Sequence, residues 1–591
     1  MCGIVGYIGL EDCKDKIIDG LKKLEYRGYD SSGIALLSET DYIFKEKGRI
    51  IEMENTVDTE LFASTGIGHT RWATHGVPNK INSHPHKSFC ERFIVVHNGV
   101  VENYEYLKDE FLNEVPLVSE TDTEILANLL SVFASRYKST EKAIRKFMSV
   151  VKGSYALVFI DRDNNDKLFA LKNMSPLLIG IGEEFNMFGS DVSCMLSETN
   201  EFIEFKDLEY AVITKEDIRM FDSNNNPIER KSFISKLNLE DIELGQYPYY
   251  MIKEIEEQSS VVRRVITEYD NTEINEELIE EIKNSDRINI IAAGTSYHAG
   301  FIGKHLIEKI CNKPVDVHIA SEFVYNKPVL SERPFFIFIS QSGETADSRA
   351  ALKKVTSLGY KSLTLTNVEG STLSRESDYT LLLYAGPEIA VASTKAYTAQ
   401  IAVLAILASS INPEYNIDLR KELSIVANVI DEVYTYKNTI KEYAKSYLDA
   451  TRNCFYIGRG IDYFVALEAA LKLKEISYIQ TEGFAAGELK HGTIALIEDQ
   501  VPVIAIISQE QTNLNTRGNI KEVVARGANT LIISMKSVST PNDEIILNDV
   551  HPLLTPLVTI IPCQYLCYYA ALDRGLDIDK PRNLAKSVTV E

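Results

Sequence analysis

Cysteine, tryptophan, glycine and proline are all scarce in this chain of 591 residues. Its 8 cysteines are scattered without a C-x-x-C pair, which argues against a disulfide framework or a zinc knuckle and favours a reducing, cytoplasmic location. With 31 glycines and 17 prolines, the chain is neither fibrous nor of low complexity. These absences leave a folded protein, and its length predicts about three to five domains.

Positive charge is also in deficit, because 62 Lys and Arg stand against 85 Asp and Glu, a net charge of −23. A field of that sign repels phosphate backbones and anionic lipids, so we expect neither nucleic acid nor a membrane as a partner. No apolar run approaches the roughly 18 residues that a membrane-spanning helix needs. Residues 402–411 form one of the longest. The N-terminal segment has no basic start, so a signal peptide is not expected.

Residues 1–235 contain many short apolar segments bounded by Gly, Asn or Asp, a pattern typical of strands. Examples are GIVGYIG at 3–9, RFIVVHNG at 92–99 and SYALVFID at 154–161. Together with two or three helical patterns, they predict a front domain. The stretch at 236–250 breaks this texture and is interpreted as a linker.

The second half alternates apolar strands with helices, and the alternation occurs twice. Strands that begin near 288, 334 and 361 recur about 165–168 residues later, near 453, 501 and 529. This pattern predicts two parallel sheets covered on both faces, with ligands at the carboxyl ends of the strands. We therefore predict a duplicated, doubly wound α/β domain, with copies at 251–420 and 421–575 and a tail at 576–591.

Cys2 directly follows the initiator methionine. Removal of Met1 would leave a free α-amine on the residue that carries the thiol. An α-amine has a pKa of about 7.7–8, which suits a general base for that thiol. A cysteine at this position is a weak signal alone, so its neighbours decide the interpretation.

Four polar motifs accompany Cys2 in the front domain. They are EYRGYDSSG at 25–33, HTRWATHG at 69–76, VHNGVVEN at 96–103 and SETDTE at 119–124. Together they resemble the N-terminal-nucleophile glutamine amidotransferases. The resemblance implies a glutaminase domain of αββα architecture.

The same resemblance implies roles for individual residues. Cys2 attacks the side-chain amide of glutamine, forms a γ-glutamyl thioester and releases ammonia. The Asn98 side chain and the Gly99 backbone N–H form the oxyanion hole. Arg71 and Asp122 bind the α-carboxylate and α-ammonium of glutamine, which a guanidinium and a carboxylate complement.

Other residues of this domain have two interpretations. Trp72, the single tryptophan, either gates ammonia transfer, as the resemblance implies, or is a core aromatic. Arg27 either contacts the glutamine site or supports its loop. Five histidines crowd the region, and we interpret them as hydrogen-bonded structural residues rather than metal ligands. They are His69, His75, His84, His86 and His97.

Two Ser/Thr/Gly turns follow strands of the second half, GTS at 294–296 and SQSGET at 340–345. Small residues at a helix N-terminus let backbone N–H groups and hydroxyls approach a phosphate. With VASTKA at 391–396, these turns resemble the sugar-isomerase (SIS) fold, so two SIS domains are expected. Glu510 follows SQ in the second copy, which assigns the phosphate site to the first. The implied contacts to the sugar phosphate are Thr295, Ser296, Ser340, Gln341, Ser342, Thr345, Val391 and Ser393.

A strongly amphipathic helix is predicted around Lys472, with Glu468 and Glu475 on the same face. The three side chains form either a solvent-exposed ion ladder or an acid/base group. GFAAGELKHG at 483–492 and RNLAKSVTVE at 582–591 favour the second interpretation. Both motifs resemble the amidotransferase family that aminates hexose phosphates.

That resemblance spans the whole chain and implies an activity without a cofactor. The amide nitrogen of L-glutamine passes to D-fructose 6-phosphate, and the product isomerises to D-glucosamine 6-phosphate with release of L-glutamate, the first step of amino-sugar (hexosamine, UDP-GlcNAc) biosynthesis. His491, from the partner subunit of a homodimer, assists ring opening, and Lys586 in a flexible tail forms a Schiff base with the ketone. Glu475 moves a proton between C1 and C2, and Glu468 and Lys472 assist.

The chain departs from the family pattern at two positions. Ala293 stands where cysteine is frequent, which concerns packing or oxidation sensitivity. Thr493 stands where proline is common, which would loosen the turn that aims His491. No long insertion is evident in the front domain, so the layout is bacterial-like and feedback inhibition by a nucleotide sugar is not expected.

Rival functions lack their own residues. A phosphoribosyltransferase or an asparagine synthetase with the same front domain would need acceptor loops that the sequence does not contain. An isomerase that uses only free ammonia would not need Cys2, Arg71 or Asp122. A non-enzymatic sugar-phosphate sensor would have no use for Lys586 or Glu475.

Overall fold

The computed structural model describes residues 2–38, 40–73, 75–235, 237 and 242–588. These residues form two compact units. One ends at Glu243 and includes Ser587 and Val588, and the other runs from Leu244 to Lys586. The processing of Met1, much of residues 236–241 and the end of the predicted tail lie outside the described residues. The finer domain boundaries stay predictions.

The first unit is built from two antiparallel sheets and flanking helices. Its strands are β1 Gly3–Gly9, β2 Ser31–Leu37, β3 Asp41–Lys47, β4 Thr65–Arg71, β5 His86–Lys87, β6 Phe93–Val101, β7 Gly153–Asp161, β8 Leu168–Asn173, β9 Leu178–Ile181, β10 Phe185–Gly189, β11 Glu201–Glu204, β12 Glu209–Ile213, β13 Ile218–Asp222, β14 Pro227–Ile228 and β15 Phe233–Ile234. Its α-helices are Lys14–Leu24, Ile50–Glu54, Tyr104–Phe111, Asp122–Tyr137 and Thr140–Val150. The strand orders are β15-β11-β9-β10-β1-β4-β2-β3 and β14-β13-β12-β8-β7-β6-β5.

Strand β6 shows how its sequence sets these layers. Side chains alternate across a strand, so Ile94 and Val96 share one face and Phe93 and Val95 the other. Ile94 and Val96 belong to the core between the two sheets. Phe93 and Val95 pack in the core with the helix Asp122–Tyr137. The first four residues of the strand, 93–96, are all apolar, as expected where both faces are buried, and the predicted αββα architecture is confirmed.

The second unit contains two five-stranded parallel sheets. The first has β16 Arg287–Ala292, β17 Val315–Ile319, β18 Pro334–Ser340, β19 Ser362–Thr366 and β20 Tyr379–Leu382. The second has β21 Asn453–Gly458, β22 Gln480–Ala485, β23 Pro502–Ile507, β24 Asn529–Met535 and β25 Ile545–Leu547. The strand orders are β17-β16-β18-β19-β20 and β22-β21-β23-β24-β25. In both sheets the second strand along the chain lies at the edge, followed by the first, third, fourth and fifth. The predicted duplication is therefore confirmed.

Helices cover these sheets and join the copies in one continuous core. They are Tyr250–Glu256, Gln258–Asn271, Glu276–Asn284, Gly294–Cys311, Ala320–Tyr325, Ala346–Ser357, Thr372–Glu376, Lys395–Ile411, Leu419–Glu432, Lys437–Tyr443, Ile461–Ser477, Glu510–Val524 and Pro556–Asp573. Two of these helices begin where β16 and β18 end, as alternation in the sequence predicts. Their N-termini therefore lie at the carboxyl edge of the first sheet.

The expectation that no apolar run reaches spanning length is wrong. Residues Pro552–Asp573 are long and apolar enough to cross a membrane by composition, with a mean hydropathy of 1.3. Tyrosines, a glutamine and prolines interrupt this segment without adding charge. Because of these interruptions, the sequence does not show it as one long apolar run. In the fold, 89% of that window is buried, so the segment serves as a core helix.

The C-terminal tail is held at several points rather than hanging free. Asp579 accepts hydrogen bonds from the backbone N–H groups of Tyr250 and Met251, both at 2.8 Å, and so caps the helix that starts there. The guanidinium of Arg582 lies 4.1 Å from the ring centre of Tyr478. These contacts correct the expectation of a flexible tail as far as Lys586.

Candidate active site

Cys2 lies at the start of β1, beside the end of β4. The backbone N–H of Trp72 donates to Cys2 Sγ at 3.2 Å. Burial raises the pKa of the Cys2 thiol, although Arg71 opposes that effect. The thiol is therefore neutral at rest and needs a base to become a nucleophile.

Asn98 is locked against Cys2 from the neighbouring sheet. Its Nδ2 donates to the Cys2 carbonyl at 3.1 Å and to Ser190 Oγ at 2.8 Å. His69 Nε2 lies 3.1 Å from Asn98 Oδ1, and because that oxygen only accepts, the imidazole donates. Gly99 has φ +130°, and a Cβ there would lie 2.1 Å from the Ser154 carbonyl. The backbone at this position therefore requires glycine.

His69, His84, His86 and His97 are buried, and burial lowers the pKa of each imidazole. Burial lowers the pKa of His69 to about 3 and the pKa values of His84 and His86 well below their usual range. His97 and His86 make hydrogen bonds of 3.0 and 3.1 Å to threonine hydroxyls. Among the described residues, no group of three or more His, Cys, Asp or Glu could hold a metal ion.

Arg71 and Asp122 lie close enough to Cys2 to influence it electrostatically. Arg71 Nη2 donates to the carbonyls of His75 and, at 3.1 Å, Gly76. Arg71 Nη1 is buried without a hydrogen-bond partner. Asp122 Oδ2 accepts the Val101 N–H at 3.1 Å at the first turn of its helix. A free guanidinium donor beside a carboxylate suits the zwitterionic end of an amino acid.

Trp72 and Arg27 differ in how they relate to this site. Trp72 is half-buried and packs edge-on against Tyr29, with 5.9 Å between the ring centres. It is thus not a fully enclosed core aromatic. Arg27 donates to Asp191 at 3.1 Å and to the Ser190 carbonyl at 3.3 Å. Arg27 therefore supports the loop that contains Ser190. The sequence does not reveal Ser190, because no motif marks it.

In the second unit, the SQSGET turn follows β18 and leads into the helix Ala346–Ser357. Ser340 Oγ lies 2.9 Å from Thr345 Oγ1 and accepts the Gly343 N–H at 3.0 Å. Gly343 has φ +66°, and a Cβ there would lie 1.9 Å from Ser371 Oγ. Gln341 and Ser342 are half-buried in the same turn. The turn therefore collects hydroxyl groups at a helix N-terminus, an arrangement suited to an anion.

Ser296 lies in the first turn of the helix Gly294–Cys311, next to Thr295. Gln400 Nε2 donates to Ser296 Oγ at 2.9 Å. Because the amide supplies that hydrogen, the Ser296 hydroxyl must direct its own hydrogen elsewhere. Gln400 is fully buried and was not predicted, since a lone glutamine in an apolar helix resembles a packing residue.

On the helix Ile461–Ser477, Glu468 and Lys472 are buried and Glu475 is half-buried, so the solvent-exposed ladder is wrong. Lys472 Nζ lies 2.6 Å from Glu475 Oε2 and 3.6 Å from Glu468 Oε1. The two carboxylates outweigh burial and raise the pKa of Lys472. His298 Nδ1 lies 2.7 Å from Glu468 Oε2, a contact that the sequence did not reveal.

Lys586 ends the tail beside the 388–396 segment, where Val391 and Ser393 lie. Its Nζ donates to Glu388 Oε2 at 2.6 Å and to the Ala390 carbonyl at 2.8 Å. The Val391 N–H donates to the Asp579 carbonyl at 3.0 Å, which ties segment and tail together. Ser393 Oγ donates to Glu388 Oε2 at 2.8 Å.

The predicted sugar-site residues thus form separate clusters. Within the described residues, no hydrogen bond or ion pair joins Lys586 to the Lys472 and Glu475 pair. His491 is exposed at the end of the 3₁₀ helix Glu488–His491, and no hydrogen bond or ion pair among the described residues joins it to either cluster.

Comparison with known proteins supports both units. A Glutamine amidotransferase domain model matches residues 69–197, and a SIS domain model matches residues 281–410 and 447–573. A glutamine–fructose-6-phosphate aminotransferase (isomerizing) from Geobacillus kaustophilus is 58% identical over 600 residues, with 100% of both chains covered. Its namesake from Listeria monocytogenes serovar 1/2a is 56% identical over 602 residues, again with 100% of both chains covered.

A solved structure is similar to the second unit. The C-terminal domain of glucosamine-fructose-6-phosphate aminotransferase from Francisella tularensis is 36% identical, with a TM-score of 0.54. The match covers 57% of this chain and 99% of that one. The chain belongs to the glutamine–fructose-6-phosphate aminotransferase (isomerizing) family, with a glutamine amidotransferase domain followed by two SIS domains.

Proposed function

We propose that this enzyme transfers the amide nitrogen of L-glutamine to D-fructose 6-phosphate and isomerises the product to D-glucosamine 6-phosphate, releasing L-glutamate. One observation carries the proposal. The same chain holds the backbone of Cys2 against the Asn98 side chain in one unit and buries the Lys586 amine beside Glu388 in the other. The first arrangement suits release of ammonia from an amide, and the second suits capture of a sugar ketone.

Glutamine hydrolysis begins at Cys2. The α-amine exposed by removal of Met1 takes the thiol proton, and Sγ attacks the amide carbon. Asn98 and the Gly99 N–H stabilise the developing oxyanion, a contribution of about 3–4 kcal/mol for one donor. Arg71 and Asp122 hold the amino-acid end, and the half-buried Trp72 is positioned to act on ammonia release.

The sugar phosphate binds at the carboxyl edge of the first parallel sheet. Its phosphate accepts hydrogen bonds from the hydroxyls and N–H groups of the two turns. These donors are neutral, so they bind an anion without a lysine cluster in a chain whose net charge is −23. Val391 and Ser393 contact the sugar. The phosphate ligands are Thr295, Ser296, Ser340, Gln341, Ser342 and Thr345.

Lys586 then forms a Schiff base with C2 of the open-chain ketose, and ammonia displaces the lysine. Glu475 carries a proton from C1 to C2, which converts the fructosimine to the aldose. Lys472 positions Glu475 through an ion pair of 2.6 Å. Glu468 holds Lys472 from its other side. No cofactor takes part in this scheme.

His491 assists ring opening from the partner subunit of a homodimer. Its exposure in the single chain supports this assignment, since a side chain that serves a neighbouring subunit lies at the surface. The enzyme works in the cytoplasm, without nucleic acid or membrane partners. All 8 cysteines are free, which suits a reducing compartment.

The test uses amide-¹⁵N glutamine and fructose 6-phosphate in unlabelled ammonium buffer, with mass spectrometry of the sugar product. Labelled glucosamine 6-phosphate is expected. Unlabelled amino sugar would retain the amination but contradict sheltered transfer of ammonia. Labelled ammonium without any amino sugar would leave a glutaminase with a different acceptor.

Cys2→Ala provides the matched control. It should abolish glutamine-dependent synthesis and spare sugar-phosphate isomerisation, because the thiol acts only on glutamine. Equal loss of both activities would contradict the division into two sites. Retention of Met1 in the intact mass of an active enzyme would contradict the role of the α-amine.

A further inference from the structure

Glu388 is the side chain in direct contact with the Lys586 amine. Its Oε2 lies 2.6 Å from Lys586 Nζ, and the two side chains are 0% and 4% exposed. The remaining contact of the amine is the Ala390 carbonyl at 2.8 Å, which accepts a hydrogen bond but carries no charge. A buried lysine is therefore neutralised by one carboxylate.

That carboxylate is held rigidly by the segment on which it lies. Oε1 accepts the backbone N–H groups of Thr394 and Ala396 at 2.9 and 3.0 Å. Oε2 accepts the Ser393 hydroxyl at 2.8 Å in addition to the lysine. Burial raises the pKa of Glu388, but Lys586 and these donors outweigh it and hold the pKa at about 2. Glu388 is thus a permanent anion and a poor proton acceptor.

The other titratable groups near this segment do not supply a negative charge in contact with the Lys586 amine. Burial raises the pKa of Glu254 to about 8, so this acid is neutral at pH 7. Its Oε1 accepts the N–H groups of Ile389 and Ala390 at 2.5 and 3.1 Å. Lys395 is paired with Glu257 at 2.6 Å. Among the charged groups around this segment, Glu388 is the anion in contact with Lys586.

We propose that Glu388 is the counter-ion that holds Lys586 for attack on the ketone and stabilises the iminium that results. The proposal rests on the proposed Schiff-base role of Lys586. For condensation, the lysine ammonium first gives one proton to the ketone oxygen, and the lone pair freed on nitrogen attacks C2. A second nitrogen proton goes to the same oxygen, which leaves as water, and the nitrogen keeps one proton and the positive charge of the iminium. Ammonia then adds at C2, the fructosimine forms and the lysine leaves as an ammonium.

The nitrogen of Lys586 carries a positive charge in the iminium and again when it leaves as an ammonium. A fixed anion at 2.6 Å favours each of these states over a neutral imine. Because a neutral imine attracts ammonia less than an iminium does, the counter-ion keeps C2 electrophilic. Glu388 is accordingly a positioning residue that acts through Lys586.

The experiment compares full-length enzyme with Glu388→Gln and Glu388→Asp, using fructose 6-phosphate and ammonium chloride to bypass the glutaminase. Borohydride reduction followed by mass spectrometry measures the adduct on Lys586, and steady-state rates give kcat, KM and the pH profile. Glu257→Gln is the matched control, because it breaks a carboxylate–lysine pair of equal length nearby. Melting temperatures report folding.

Glu388→Gln should lower kcat and the adduct yield about 10- to 100-fold, the rate equivalent of a charge-assisted hydrogen bond. KM for fructose 6-phosphate should change less, since the phosphate turns are untouched. The alkaline limb of the pH profile should move to lower pH, because an iminium without its counter-ion loses its proton more readily. Glu388→Asp should recover part of the rate, and Glu257→Gln should resemble the wild type.

Wild-type adduct yield, kcat and pH profile in Glu388→Gln would overturn the counter-ion. Equal losses in Glu388→Gln and Glu257→Gln would also overturn it, by showing a general disturbance of the segment. If Glu388→Gln does not fold, Glu388→Asp decides, and wild-type trapping in that variant refutes the proposal. Absence of any adduct on Lys586 in the wild-type enzyme is a separate result, which contradicts the Schiff base itself.

Discussion

The two parallel sheets of the second unit share a strand order but differ at their carboxyl edges. In the first copy, Ser340 is the last residue of β18, and its hydroxyl lies 2.9 Å from that of Thr345 in the turn that follows. In the second copy, Ser508 follows β23, and its N–H and hydroxyl donate to the carboxylate of Asp462. The second copy therefore places the Asp462 side chain at the strand end that corresponds to the turn for which we propose phosphate binding in the first copy.

The second copy also differs from the first in a buried charge cluster. Its helix Ile461–Ser477 follows β21 just as Gly294–Cys311 follows β16. The helix Ile461–Ser477 places Lys472 between two carboxylates, whereas the helix Gly294–Cys311 begins with the GTS turn. The proposed function thus assigns phosphate binding to the first copy and proton transfer to the second.

Breaking the buried lysine cluster of the second copy should have the largest effect. Lys472→Met leaves Glu468 without a compensating cation, so we expect a loss of about 3–5 kcal/mol in unfolding free energy. Formation of glucosamine 6-phosphate should be lost. Lys361→Met, which removes a half-exposed pair with Asp378 in the first copy, should cost at most about 1 kcal/mol. Chemical denaturation checks both, and equal losses would contradict the distinction.

The internal carboxylate of the second copy should make stability depend on pH. Burial raises the pKa of Asp462 to about 7, above its unfolded value. The folded state then binds more protons between about pH 4 and 7, so this residue lowers stability as pH rises through that range. Between pH 4 and pH 8, the unfolding free energy of Asp462→Asn should rise relative to that of the wild type by on the order of 2–4 kcal/mol. Unfolding free energies that run parallel over this range would exclude the effect.

Matched serine variants separate the two edges. Ser340→Ala should raise KM for fructose 6-phosphate about 10- to 100-fold, because a phosphate loses a donor and the turn loses its brace. Ser508→Ala should leave KM unchanged and cost about 1–2 kcal/mol of stability. Steady-state kinetics with ammonium as nitrogen donor, combined with melting curves, tests both. A KM increase in Ser508→Ala would reveal a second sugar-phosphate site.

A glycine pair should give the smallest difference. Gly343 and Gly460 both have positive φ, at +66° and +59°, but only Gly343 has a neighbour in the way of a Cβ, Ser371 Oγ at 1.9 Å. Gly343→Ala should raise KM for fructose 6-phosphate about threefold to tenfold through displacement of the turn. Gly460→Ala should lower the unfolding free energy by about 1 kcal/mol through backbone strain, without a steric clash. Its KM for fructose 6-phosphate should not change.

Local patterns were sufficient for much of the fold. Strand β6 could be predicted because its apolar residues end at a polar motif, and the duplication because strand signals recur at a fixed spacing. The site motifs around Asn98 and Ser340 lie at strand ends, where backbone and hydroxyl groups converge. Sequence reasoning failed for Gln400 and His298, because each lies within a helix and resembles an ordinary packing or surface residue.

The sequence by itself determined the order of elements, the repeated sheet and the turns that end its strands, since these follow from periodicity and local backbone preference. Only the tertiary structure decided that Lys586 pairs with Glu388, 198 residues earlier in the chain, and that Lys472 is buried. A charged residue has the same identity on a surface and in a core. Packing removes the water around it, and the contacts that replace that water determine which charges form the candidate site.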